Sequence, residues 1–290
     1  MTFIVTSDYQ INRVTAPRLP AAPVEYEARY QNQFADILRL YFNRLDSILG
    51  QLNTGSGAID GSGIRLPYGA FQDIAYTTLN GGINNSVTTI TVVSTAGFPT
   101  AGELRITSEV ITYTGKTPTT FTGCTRGARG SANVAHSTGV AVTKIQSPPA
   151  ATAVPMYINT TDYSNNVSVV NETRITAVKA GIYNLQWSGQ FNNSDSSIHD
   201  ASVWLRVNGV DIAGSTGFIS VVGTHGGIDG HAIIGWNYFL QLNAGQYVEI
   251  WWSTTDRKVT LECYGPSTGP TRPATASVVA TLGFVSALPP

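Results

Sequence analysis

From residue 76 onward the chain is a succession of short runs rich in β-branched residues, broken by Gly, Pro and Asn, with no helical periodicity between them. This pattern constrains the fold more than any other feature. Strands that follow one another without helices close into antiparallel sandwiches or barrels. The runs fall into two groups. The first, at 88–93, 102–106, 110–113, 119–124 and 140–144, predicts a small β module over 64–146. A stiff Pro/Ala linker follows, from Ser147 to Pro155. The second group, near 156–159, 168–178, 182–191, 202–207, 218–222, 232–241, 247–253, 259–264 and 276–286, predicts a larger β domain over 147–290. Asn208-Gly209 between Val207 and Val210 has the chemistry of a type I′ hairpin turn. In the run 247–253, strand alternation separates Val248, Ile250 and Trp252 from Tyr247, Glu249 and Trp251, and the first set is expected inside.

The first 63 residues read differently. Pro17, Pro20 and Pro23 favour an extended arm. From 25 to 52 Pro is absent and only Gly50 interrupts the helix formers, with Glu25 and Glu27 near the start, where the helix dipole favours acids. Phe34, Leu38, Tyr41, Leu45, Ile48 and Leu52 follow a 4-3-4-3-4 spacing. Such a helix either self-associates or docks on another protein; Ile37, Leu40, Phe42 and Leu49 widen its apolar stripe. A flexible Gly/Ser linker runs from 53 to 63. The expected fold class is therefore mainly β, with an N-terminal arm and single helix, a small β module and a C-terminal antiparallel sandwich. Residues 64–75 read as an extended connector.

Composition narrows function. Charged residues make up 12% of the chain, about half the usual share, and hydroxyl and amide residues take their place. Net charge is −1, so no basic stripe offers itself to nucleic acid. No apolar run is long enough for a membrane helix. Residues 1–10 contain Asp8 and no basic stretch, unlike an export signal. Cys124 and Cys263 lie in different segments and read as buried free thiols.

Few residues suggest chemistry. Arg126-Gly-Ala-Arg-Gly130 lacks the lysine, hydroxyl and following helix of a phosphate loop, and reads as a glycine-permitted turn with surface arginines. His136 reads as a histidine tied to backbone. His225, Asp229 and His231 could hold a divalent ion, but their Gly-rich segment reads as a flexible loop. The carboxylates at 195, 200, 211, 229, 249, 256 and 262 are scattered, and no hydrolase or dinucleotide signature is present. No enzyme, cofactor or metal is expected. The tryptophans at 187, 204, 236, 251 and 252 read as core or subunit packing, with sugar stacking as the alternative.

Three resemblances follow from particular residues. Gly181-Ile-Tyr183-Asn-Leu185-Gln-Trp187, then Val203-Trp-Leu205-Arg-Val207-Asn208-Gly209, then Leu240-Gln-Leu242 with Gly245 and Val248, then Leu282-Gly283-Phe284-Val285 occur in an order similar to the jelly roll of tumour necrosis factor and C1q heads. Gln246 stands where that family has an acid. The resemblance implies a compact trimer, with Tyr247 and Trp251 as candidate interface residues. Phe121-Thr-Gly123-Cys124-Thr-Arg126-Gly127-Ala-Arg129-Gly130-Ser131, with Ala135, His136 and Gly139, resembles a small β domain of bacteriophage virion proteins. Pro17-Arg-Leu-Pro20, with Pro23, Glu25, Tyr26, Tyr30, Leu38, Tyr41, Phe42, Leu45 and Asp46, is similar to the opening of structural proteins of marine phages, including cyanophages. Together they imply a homotrimeric virion exterior protein. It would be a tail fibre, head fibre or capsid decoration protein, anchored through the 1–63 segment to other tail or capsid proteins. Its head would face a host surface glycan or protein. The alternative is a virion-borne glycan-degrading enzyme.

Overall fold

The computed structural model describes residues 28–54, with side chains from 29 to 47, and residues 66–288. The Pro-rich arm, the acids Glu25 and Glu27, and most of the predicted Gly/Ser linker lie outside the described residues. Two compact units separate at Leu66/Pro67.

In the first unit the described element is a helix, Ala28–Thr54, which takes in the first two residues read as linker. The second unit is built of antiparallel strands in two large sheets and two small ones, a mainly β, sandwich-like arrangement. Alternation explains why the strands form. Along Gly181–Asn193 the side chains of Tyr183, Leu185, Trp187 and Phe191 turn inward and are buried, while Asn184, Gln186 and Gln190 alternate with them.

The first sheet has 11 strands. Its sandwich half runs Thr160–Asn165, Tyr68–Asp73, Val278–Ser286, Gly181–Asn193, with Gly230–Leu242 on the far edge. Tyr68–Asp73, read from sequence as a connector, is thus a strand inside the sandwich, and its Phe71 is fully buried there. The second sheet runs Val167–Val170, Arg174–Ala177, Tyr247–Thr254, His199–Val207, with Gly217–Val221 beyond. Residues 168–178, expected as one strand, are two strands of a hairpin, because Asn171 and Glu172 both take positive φ. Asn208 and Gly209 also have positive φ, and Val207 pairs with Val210 as the dipeptide predicts. Between the sheets lies one apolar core, in which Trp252 and Phe191 meet edge to face with centroids 5.8 Å apart. Val248, Ile250 and Trp252 belong to that core.

The small module holds a separate core of Leu79, Ile90, Val92, Phe98, Leu104, Ile106, Ile111, Tyr113 and Phe121. It is nevertheless continuous with the sandwich. Val259–Glu262 pairs with the end of Gly181–Asn193 on one side and with Ala141–Gln146 on the other, and so carries the first sheet across. The chain enters the module after Asp73 and leaves it at Gln146. At that junction buried Asp73 accepts hydrogen bonds from Gln146 (2.8 Å) and Ser277 (2.6 Å) and pairs with Lys144. Cys124 and Cys263 are both buried and free.

Candidate functional site

The glycine- and arginine-rich motif of the module folds around one buried carboxylate. Glu109 is fully buried at the start of Glu109–Tyr113. Arg126 grips it with two hydrogen bonds of 2.7 Å, His136 Nε2 lies 2.8 Å away, and the Gly127 amide donates at 3.1 Å. Burial pushes the Glu109 carboxyl up, but the bonds from Arg126, His136, Val134 and Gly127 outweigh it and hold it below the ordinary glutamate value. Arg126 also donates to the carbonyls of Asn84 and Val134. Arg129 donates to Glu103 at 2.8 Å and to the Arg257 carbonyl. This corrects the turn with surface arginines: Arg126 lies in the strand Thr125–Ala128, and both arginine side chains are buried. His136 is held by Glu109 as well as by paired backbone bonds to Ile83. Every polar group of Glu109 is engaged within the module, which is the arrangement of a structural knot.

On the helix, Phe34, Leu38, Tyr41 and Leu45 are half-buried along one stripe, and Leu40 and Phe42 are exposed beside it. Tyr30 stacks on Phe34 at 6.2 Å. The side chain of Ile48 lies outside the described residues.

Tyr247 and Trp251 are half-buried on the outer face of Tyr247–Thr254. Each lies under a guanidinium of the same chain: Arg174 is 4.5 Å from the Tyr247 ring, and Arg206 is 3.6 Å from the Trp251 ring. Glu249 between them pairs with Arg174 at 3.3 Å and accepts from Trp251 Nε1 at 3.2 Å, while Arg206 pairs with Asp211. The second sheet therefore presents a surface of ion pairs.

The first sheet presents the opposite surface. Gly181–Asn193, Gly230–Leu242 and Val278–Ser286 are adjacent and contain no Asp, Glu, Lys or Arg. On their outer side Ile233 is 72% exposed and Phe239 59%, and Val279 and Val285 are exposed nearby. Among the described residues Gly230–Leu242 pairs with Gly181–Asn193 and with no strand along its other edge. A 13-residue edge with neither charge nor proline lacks the usual protection against strand pairing. Composition signalled this face through its low charge, but only the sheet order gathers the three strands.

The loop His225–His231 does not converge on one point. His225 pairs with Ile228 through backbone, Asp229 forms an ion pair with Arg105, and His231 Nδ1 lies 3.3 Å from the Tyr264 hydroxyl. Among the described residues no three His, Cys, Asp or Glu are grouped to hold a metal. Of the scattered carboxylates, Asp229 and Glu262 are brought together by Arg105, a residue sequence reasoning passed over. Asp195 binds His199 and Lys258, whose hydrogen bonds hold its carboxyl far below the usual range. Trp187 and Trp252 are core residues, Trp204 donates to Asp211, and Trp236 is exposed at the sheet edge.

No protein-family model matches this chain, and no curated protein matches it either.

Proposed function

We propose that the chain is a homotrimeric structural protein of the exterior of a bacteriophage particle, anchored by residues 1–63 and presenting its β body outward. The observation that carries the assembly reading is the uncharged outer face and open edge of the first sheet. An uncharged face on which Ile233, Phe239, Val279 and Val285 stand exposed among amides is suited to association. A partner suited to this face must itself be apolar or hydroxyl-rich and uncharged, and a second copy meets both demands. An edge of one copy packed on the face of the next is a head-to-tail contact, which closes into a ring when the rotation allows. The order of the sandwich strands supports a jelly roll of the tumour necrosis factor and C1q type, and that family supplies the number three. The motifs around Arg126 and the helix supply the virion reading, as tail fibre, head fibre or capsid decoration.

Tyr247 and Trp251 are the weaker choice of interface, because the chain's own arginines already cover their rings. Light scattering of the full chain is expected to give three times the 31 kDa monomer mass, and Phe239→Asp is expected to give the monomer. A monomeric wild type would overturn the assembly reading. For anchoring, protein lacking residues 1–52 is expected to stay off the particle; normal incorporation would overturn that part.

A glycan-degrading activity would call on Asp229 and Glu262, the pair that meets in a cleft. Arg105 engages both, and Thr260 and Tyr264 engage Glu262 further, which leaves neither free to protonate a glycosidic oxygen. Capsule clearing by the purified chain would favour that second reading.

A further inference from the structure

Two opposite charges are sealed from solvent where the inserted module joins the sandwich. Asp73, the last residue of Tyr68–Asp73, is wholly buried, and the Lys144 side chain, in Ala141–Gln146, is 4% exposed. Lys144 Nζ lies in contact with Asp73 Oδ1. Backbone bonds fix both residues. Lys144 N donates to the Ala75 carbonyl at 3.0 Å, Ser277 N to the Asp73 carbonyl at 2.8 Å, and Cys263 N to the Lys144 carbonyl at 3.3 Å.

The pair is unevenly satisfied. An ammonium carries three donors. Among the described residues Asp73 Oδ1 is the one hydrogen-bond acceptor that Lys144 Nζ meets, and the Tyr157 ring lies 5.8 Å away. The second carboxylate oxygen, Oδ2, is held by two neutral donors, Gln146 Nε2 at 2.8 Å and Ser277 Oγ at 2.6 Å. Gln146 is itself locked: its Nε2 donates to the Tyr157 carbonyl at 3.0 Å and its Oε1 accepts from Tyr157 N at 2.8 Å. A buried ion pair offsets its desolvation only when the remaining donors and lone pairs are also satisfied, and those of the ammonium are not.

The same geometry suits acyl transfer. A nitrogen held against a carboxyl reacts as though at a concentration no solution reaches. The two donors on Oδ2 stand where negative charge gathers when Cγ is attacked. We propose that Lys144 and Asp73 condense into an isopeptide bond, a side-chain amide. The ammonium passes one proton to Oδ1, and the lone pair this frees on Nζ bonds to Cγ. Charge collects on Oδ2 between Gln146 and Ser277. As the carbonyl reforms, the Cγ–Oδ1 bond breaks, and Oδ1 takes a second proton from the nitrogen and leaves as water. Nothing is oxidised or reduced, and no further reactant enters. The product fits the site better than the ions do. Its carbonyl oxygen keeps two donors for two lone pairs, and its nitrogen retains one N–H in place of three. The bond joins residues 71 positions apart and ties together the strands by which the chain enters and leaves the module. It stands apart from the assembly reading, since monomer and trimer alike can carry it.

Mass spectrometry of the denatured full chain tests it. The intact mass is expected to fall below that of the sequence by one water. Digestion is expected to yield a branched peptide in which the segment holding Asp73 is joined to the segment holding Lys144. In Lys144→Met the deficit should vanish. If that variant does not fold, the wild-type digest decides alone. Three results overturn the proposal: a wild-type chain that keeps its full sequence mass after prolonged storage, as when the two groups form an ion pair only; a deficit confined to one unbranched peptide, as when an aspartate closes on its own backbone; or a deficit that persists in Lys144→Met.

Discussion

The sandwich and the small module share one sheet yet are stabilised in different ways. The sandwich core is almost wholly apolar, with Trp252, Phe191, Tyr183 and Phe71 at its centre. The module has an apolar core too, but beside it Glu109, Arg126 and His136 are sealed from solvent in a charge knot. A small β unit has little interior volume, and a charge knot adds geometric specificity that few apolar contacts can supply. The lesson is that the module is fixed by who pairs with whom, and the sandwich by how much surface is hidden.

The largest test of this contrast removes the sandwich's central ring. Trp252→Ala is expected to cost about 3–5 kcal/mol. Urea unfolding should show the midpoint falling for the entire β body, the module included, because one sheet joins them. Module amides that keep their hydrogen-exchange protection in this variant would show that the two regions unfold independently.

Glu109→Gln is expected to cost about 3 kcal/mol, because it leaves the buried Arg126 guanidinium uncompensated. Here the loss should be local. Amides of Gly102–Ile106 and Glu109–Tyr113 should exchange faster while those of Tyr247–Thr254 keep their protection. Uniform loss would erase the distinction between the regions.

Acid sharpens the same point. The folded pKa of Glu109 is depressed below its ordinary 4.5. Its contribution is therefore fully present above that value and is lost as pH falls through the folded one. The melting temperature should hold steady from neutral pH down to about 4.5, decline below it, and decline less steeply in Glu109→Gln. Asp195 is also depressed but sits at a partly exposed pair, where screening reduces the stability at stake. Asp195→Asn should leave the profile nearly unchanged.

A small effect is also expected at Trp251→Ala. Loss of the Arg206 stack should cost about 0.5–1 kcal/mol, with the oligomer intact. Dissociation in this variant would move the assembly surface to the second sheet.

How much of this the sequence discloses follows from the same contrast. Alternation made the sandwich legible: the inward set Val248, Ile250 and Trp252 and the Asn208-Gly209 turn can be read from a few consecutive residues. The knot could not be read that way. Glu109 and its partners Arg126 and His136 are 17 and 27 positions apart; Arg126 reads as a surface residue of a turn and His136 as tied to backbone. Tyr68–Asp73 was hidden for a related reason. It has no β-branched residue, and its neighbours in the sheet, Thr160–Asn165 and Val278–Ser286, come from distant parts of the chain. The cleft needed both kinds of information. His231 and Asp229 stood out as a cluster, but Arg105, which fixes their neighbourhood, comes from the module. The break at Asn171 and Glu172 was missed because glutamate seldom adopts positive φ.

The place of Tyr68–Asp73 has a mechanical consequence. The module is inserted after this strand, and its ends meet at Asp73 and Gln146. Tension arriving along the chain from the N-terminal side enters the β body at Tyr68, on a strand held along both edges. Pulled along its length, that strand loads its hydrogen bonds in shear, many at once, instead of one after another as in unzipping. The module hangs beside this line of force and bears none of it. A shear-loaded strand clamped between two neighbours is a tether for the sandwich, and the inserted module can grow at its far side without lengthening it.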